Sequence, residues 1–293
     1  MIKLIQNQTS RYYQVEGEIK KYPSVTAILS CLNKPGLLYW EKSLSLKFFG
    51  SEMLRTIENV ASKERAEMEK MIESLQSRAM VAPLKERNQA AEFGREAHGL
   101  IEDMLSGKSV SVPPSHQLIA DGFQKWKADY GDLEIVNVEK NVLSKIHGYA
   151  GCVDCVAVRP FSSNSDPNPN PNPNPNSNSN TSANSNNANK VILMDWKTSN
   201  STWDEYALQL SAYAQAYTET TGTKVDEAYI VRLAKSGKPG YYISQVRNLD
   251  EAFGIFLSCF HLWKAFYAKD FAAAEGEGPP SKLLINGLKN QML

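Results

Sequence analysis

YAGCVDCVAVRP at residues 149–160 and KVILMDWKTS at 190–199 decide the fold. Both runs are short, rich in β-branched residues and apolar on successive positions, as in strands buried on both faces. Read as the two arms of one hairpin, Val153–Arg159 and Lys190–Lys197 pair antiparallel. If Arg159 faces Lys190, Asp154 comes to face Asp195, with Cβ atoms roughly 4.5–5.5 Å apart. Period two then puts Lys197 on the same face as Asp195. Two like charges at the end of a buried hairpin repel and are costly to desolvate. A divalent cation between them removes that cost, and Lys197 adds a compact positive charge beside them.

Working outward, LEIVNVEKNVLS at 133–144 is a further strand before this hairpin. A helix follows the hairpin: Thr202 with Glu205 three residues later has the form of a capping box, and Gly222 is a natural terminator. VDEAYIVRLA (225–234) and GYYISQVR (240–247) are two more strands joined by the turn-forming KSGKP, and a long helix begins at Leu249. Upstream the pattern is mainly helical after a short opening strand pair around Glu16-Gly17-Glu18. A helix starts near Pro23 and Ser24 and is broken by Pro35-Gly36. Residues 51–79 read as an exposed amphipathic helix, and another helix runs from about Pro83 to Ser106. Residues 115–130 form one more, with Leu118, Phe123 and Trp126 as core candidates.

This order predicts an α/β fold with a central mixed sheet flanked by helices. Residues 1–130 are expected to be a helical region of the same domain and 131–270 the sheet-bearing core, with a tail at 271–293. Residues 162–189, SSNSDPNPNPNPNPNSNSNTSANSNNAN, hold one charge and no aliphatic side chain larger than alanine. Such a composition cannot offset its ordering entropy, so this insertion at the hairpin tip is expected to be disordered.

Lys plus Arg and Asp plus Glu both number 32 in the 293 residues. That balance excludes a coat that binds nucleic acid by bulk charge, but not a local basic groove around an acidic site. The four cysteines are too scattered for a disulfide framework. No signal-like or membrane-length apolar run occurs, so a cytoplasmic protein is expected. Cys152 and Cys155 spell C-x-x-C, yet strand alternation sends them to opposite faces, against a shared ion. Tyr39 and Trp40 are read as core residues and Trp203 as a more open one that could stack on an unpaired base.

GCVD at 151–154, DWK at 195–197 and QLSAYA at 209–214, in that order, resemble the PD-(D/E)XK nuclease superfamily in its RecB-like branch. GREAHGLIE at 94–102 is similar to that branch's upstream G-x-x-x-H-x-x-[IL]-E element. PSVTAIL and KPGLLYW further resemble the mitochondrial genome maintenance exonuclease group and its bacterial and phage relatives. The matches span residues 23–214. The resemblance implies a restriction-endonuclease-like core in which Asp154 and Asp195 bind Mg²⁺ or Mn²⁺ and Lys197 is the catalytic lysine. His98 would be a further metal ligand, with Gln209 and Tyr213 pointing back at the site. Glu139 matches an acidic position of related nucleases, and Glu102 is either a partner of the site or a solvated ion pair. Taken singly, His98 is more often a packed or surface histidine than a ligand, and Gln209 and Tyr213 could simply be an amphipathic helix face packing on the sheet. Some relatives carry a four-cysteine iron–sulfur cluster. Here Cys259 stands alone near the C-terminus, so no cluster is expected.

The implied activity is metal-dependent hydrolysis of DNA phosphodiester bonds, exonucleolytic and preferring single strands. Its setting would be DNA repair, replication or recombination, with DNA ends as substrate and a helicase or other repair protein as the class of partner. The alternatives are a structure-specific endonuclease of phage or mobile-element origin and a nucleic-acid-binding subunit that does not cleave.

Overall fold

The sheet forms where the β-branched runs predict it. In the computed structural model, which describes residues 1–6, 11–61, 64–160 and 189–268, five strands lie in the order β4-β5-β6-β7-β8. They are β4 (Glu134–Ser144), β5 (Tyr149–Arg159), β6 (Lys190–Lys197), β7 (Glu227–Leu233) and β8 (Tyr241–Gln245). All neighbours are antiparallel except β6 and β7, so the sheet is mixed. A parallel pair needs a crossover, and helix α5 (Asp204–Thr221) supplies it. The β5–β6 register sets Arg159 opposite Lys190, the pairing on which the hairpin reading rests. The insertion, apart from Asn189, and the tail lie outside the described residues.

Helices cover both faces. On one, Trp196 of β6 meets α4 (Gln117–Asp129): its ring stands edge-on to Trp126 at 4.8 Å and to Phe123 at 5.6 Å. Of the three core residues expected in that helix, Phe123 and Trp126 are buried, while Leu118 yields its place to Ile119. On the other face α5 packs with α6 (Leu249–Tyr267), where Tyr149 donates to the Ala212 carbonyl at 2.8 Å and meets the Phe256 ring at 5.0 Å. Gly222 ends α5 at φ 75°, as its sequence position predicts. The capping box does not form: Trp203 occupies the N-cap with extended backbone, and no side chain caps the helix. Ser24 does cap the short α1 (Val25–Leu29), accepting from the Ala27 N–H at 3.1 Å.

The chain divides into two compact units, Met1–Leu29 with Ile101–Leu293, and Ser30–Leu100. The first also holds a three-stranded sheet of β1 (Ile2–Gln6), β2 (Arg11–Val15) and β3 (Lys21–Pro23). The expected pair around Glu16-Gly17-Glu18 is β2 and β3, and β1 adds a third strand by pairing with β2. The second unit comprises α2 (Pro35–Ala61) and most of α3 (Arg65–Leu105). Here Arg78 pairs with Glu52 at 2.7 Å and Arg87 with Glu41 at 2.6 Å.

Two expectations for these helices are corrected. Residues 51–61 end α2 rather than begin a separate helix, and α3 passes through Pro83 instead of starting there. Proline inside a helix removes one hydrogen bond and costs ~3 kcal/mol in isolation. Pro83 is buried, so packing stands against that cost, and its missing N–H leaves no buried donor unpaired. Tyr39 is 77% and Trp40 39% exposed, which corrects the assignment of both to the core.

Candidate active site

The β5–β6 ladder stops at Cys155 and Met194, one pair short of the two aspartates. There the strands diverge, and Asp154 Oδ2 accepts the Trp196 N–H at 2.8 Å in place of a regular cross-strand pair. Both carboxylates are buried, Asp154 at 8% exposure and Asp195 at 1%. Their surroundings are apolar because Val153, Cys155, Leu193 and Met194 fill the sheet on either side.

Asp195 is held on both oxygens. Lys197 forms an ion pair with Oδ2, and Gln209 Nε2 donates to Oδ1 at 3.0 Å. The same amide group lies 3.1 Å from the Tyr213 hydroxyl. Gln209 and Tyr213 are one turn apart on α5, the spacing that puts two side chains on one face. The Tyr213 ring lies against Gly151, where an added Cβ would sit 2.3 Å from Cε1. The glycine of GCVD therefore makes room for the tyrosine of QLSAYA. The Lys197 ammonium also stands 4.9 Å above the Tyr206 ring, a cation–π contact.

Glu139 enters from β4. Val138 pairs with Cys155 and Lys140 with Val153, so Glu139 stands opposite Asp154. Its φ is +49°, left-handed backbone that is uncommon for a residue other than glycine. The Cys152 thiol donates to Glu139 Oε2 at 3.2 Å. His98 lies on α3 within the second compact unit, Ser30–Leu100. Glu102 follows His98 by one turn of α3, and its charge bears on both Glu139 and Cys152.

The electrostatics follow from burial and like charge. Burial pushes the Asp154 carboxyl well above the usual range; Asp195 and Glu139 push the same way, while Lys197 and the Trp196 N–H oppose. Glu139 is raised by burial first, with Glu102 and Asp195 adding and the Cys152 hydrogen bond opposing. For Lys197 burial is the largest influence and would lower its pKa, but Asp195 and Asp154 outweigh it, and the net shift is upward. The site thus keeps one firmly charged lysine beside two acids, Asp154 and Glu139, whose ionised forms are disfavoured.

Of the residues singled out from the sequence, Asp154, Asp195, Lys197, Gln209, Tyr213 and Glu139 converge here. The Asp195 oxygens are engaged by Lys197 and Gln209, while Glu139 stands opposite Asp154. Sequence reading passed over Cys152, Tyr206 and Gly151 as members of the site. A signal existed for two of them: Cys152 is two residues from Asp154 on the same strand face, and Tyr206 is three from Gln209 on the same helix face.

Among the described residues no helix is long and apolar enough to cross a membrane. No protein-family model matches this chain, and no curated protein matches it.

Proposed function

We propose that this chain is a divalent-metal-dependent DNA nuclease of the PD-(D/E)XK type, acting on single-stranded ends. The observation that carries the reading is the gathering of Glu139, Asp154, Asp195 and Lys197 at one end of a buried hairpin, and the resemblance adds His98 as a further ligand. The donor set fits a hard cation: two carboxylates and one imidazole suit Mg²⁺ or Mn²⁺ and lack the thiolates that a structural zinc site prefers. A cation held by His98, Glu139 and Asp154 would supply charge to the phosphoryl oxygens and acidify water at neutral pH.

The chain's own residues account for the rest. Asp195, oriented by Gln209 and Lys197, stands beside the cluster as an acceptor for a proton or a further ligand. Lys197 keeps its proton and offers a fixed positive charge where negative charge accumulates on the phosphate and leaving oxygen. Tyr213 and Gly151 hold Gln209 in place, so the geometry around Asp195 is set before substrate arrives. The apolar walls of β5 and β6 keep the local dielectric low, which strengthens each of these effects.

The test is purified protein with Mg²⁺ or Mn²⁺ on end-labelled linear single-stranded, linear duplex and circular DNA. Loss of linear single strands, with circles intact and EDTA abolishing the reaction, is the expected result. Circle cleavage would turn the reading to an endonuclease. No metal-dependent cleavage of any substrate would overturn it.

A further inference from the structure

Beside Lys197, a second row of side chains has no role in the site described above. Strands β6 and β7 are parallel and set Lys197 next to Arg232, and β7 and β8 are antiparallel and set Arg232 next to Tyr242. Cross-strand neighbours share a face of the sheet, so Lys197, Arg232 and Tyr242 form a line from the candidate site to the sheet's edge at β8. The Arg232 guanidinium lies 4.2 Å from the centroid of the Tyr242 ring. Tyr242 is nonetheless 58% exposed, and with the guanidinium over one face that exposure belongs to the rest of the ring. Nη1 of Arg232 donates to the Asn200 carbonyl at 2.9 Å, which steadies the group against the segment between β6 and α5. Its Nε is buried without a hydrogen-bond partner, and among the described residues no carboxylate pairs with it. Lys235 and Lys238, both exposed, lie in the turn between β7 and β8 at this same end of the strands.

We propose that Arg232 and Tyr242 form a strand-binding subsite for unpaired DNA, with the guanidinium taking a backbone phosphate and the tyrosine ring stacking on a base. A buried sheet edge would be expected to neutralise or cover such a pair. Here an arginine without a counter-ion is fixed against an open aromatic face, next to the one lysine of the candidate site. Phosphate at the cation and a base on the ring satisfy both features at once, as in other single-strand grooves. Duplex DNA cannot use the ring in this way, since its bases are already stacked. The subsite rests on the proposed function for its substrate class and deepens it: it positions the strand and takes no part in bond cleavage.

The experiment measures binding of a fluorescent single-stranded oligonucleotide by anisotropy in Ca²⁺, with a matched abasic strand and a blunt duplex alongside. Tyr242→Leu should weaken binding of the normal strand about tenfold and leave the abasic strand unchanged, whereas Tyr242→Phe should bind like the parent. Arg232→Gln should weaken both strands and reduce the slope of log K against log salt by ~0.7, one phosphate's worth. In parallel, metal-dependent hydrolysis of bis(p-nitrophenyl) phosphate, too small to reach the subsite, should be unaffected by any of these substitutions. If the parent protein hydrolyses neither substrate yet the binding differences appear, the nuclease reading fails and the subsite stands. If Tyr242→Leu and Arg232→Gln bind all three DNAs as the parent does, or the parent binds no single strand, the subsite is refuted.

Discussion

Replacing Gly151 with alanine should disable the site from a position that touches neither metal nor substrate. The new Cβ would lie 2.3 Å from Tyr213 Cε1 and 2.9 Å from Cδ1, whereas ordinary contact begins at 3.4 Å. The nearer atom must therefore retreat by about 1.1 Å. Tyr213 is 5% exposed and shares α5 with buried Leu210, Ala212 and Ala216, so the ring has little room to swing aside. Overpacking of this kind costs ~1–3 kcal/mol. The displacement would reach further, because the Tyr213 hydroxyl is bonded to Gln209 and Gln209 to Asp195. A misplacement of about 1 Å at a catalytic group is worth ~100-fold in rate. Urea unfolding would read the first effect and a single-strand cleavage assay the second. Gly151→Ala combined with Tyr213→Leu, which trims the clashing ring, should recover stability but not full activity. A Gly151→Ala protein with unchanged stability and cleavage would show that Tyr213 does not hold Asp195 through Gln209.

Other outcomes follow from the same geometry. Asp195→Asn and Lys197→Ala should each abolish cleavage, and Lys197→Ala should also lower stability by ~3–5 kcal/mol, since it strands a buried carboxylate; activity near the parent's in either variant would remove the mechanism. Because folding raises the Asp154 and Glu139 pKa values above their ordinary 3.8 and 4.5, the folded state binds more protons than the unfolded one from about pH 4 up to the raised values. Stability without metal should therefore fall as pH rises through that window, and Mn²⁺ should flatten the fall; a melting temperature that is indifferent to pH and Mn²⁺ would contradict it. His98→Ala should weaken the site without abolishing it, giving cleavage lost at low Mg²⁺ and partly rescued by more metal; unchanged metal dependence would make His98 a packing residue. Deleting residues 163–188 should leave cleavage intact and stabilise by ~1–2 kcal/mol through easier loop closure, because Arg159 and Lys190 already face each other; loss of folded protein on deletion would refute this.

Much of the sheet was legible because its information is local. The β5 and β6 runs alternate between two buried faces, and a charge can interrupt such a run only where the sheet ends or a partner waits. By that logic the sequence itself points to Asp154, Asp195 and Lys197 at the end of the hairpin. The errors sit where tertiary packing overrides local preference. Pro83 looks like a helix start, yet α3 passes through it because the residue is buried. Thr202 and Glu205 have the spacing of a capping box, yet the N-cap falls one residue later at Trp203 and α5 begins at Asp204. Glu139 was visible as an acid on a strand, but its left-handed backbone and its position opposite Asp154 depend on the pairing of β4 with β5. No pattern of residue types encodes that conformation. Tyr206 and Gly151 likewise acquire meaning from the neighbour that the fold brings to them.

Glu139 also bears on why the acids are distributed as they are. A non-glycine residue in left-handed conformation costs ~1–3 kcal/mol and persists only where the surroundings fix it. Here the ladder pairs on either side of Glu139 supply that constraint. Relaxing the residue to extended backbone would redirect its side chain away from Asp154, so the strain has a positional effect. The four charged groups then divide into two pairs. Asp195 and Lys197 neutralise each other and are tied to Gln209, so they are already satisfied within the protein. Glu139 accepts from a thiol and Asp154 from a backbone N–H, yet burial, and for Asp154 also the charge of Glu139, holds both carboxyls above their usual range. Protonation can relieve that repulsion, at the expense of the ionised form, or a cation can relieve it while both remain ionised. Strained backbone at Glu139 and raised pKa values at both Glu139 and Asp154 thus fall on one facing pair of carboxylates, and the neutralised pair stands apart, preset for its own role.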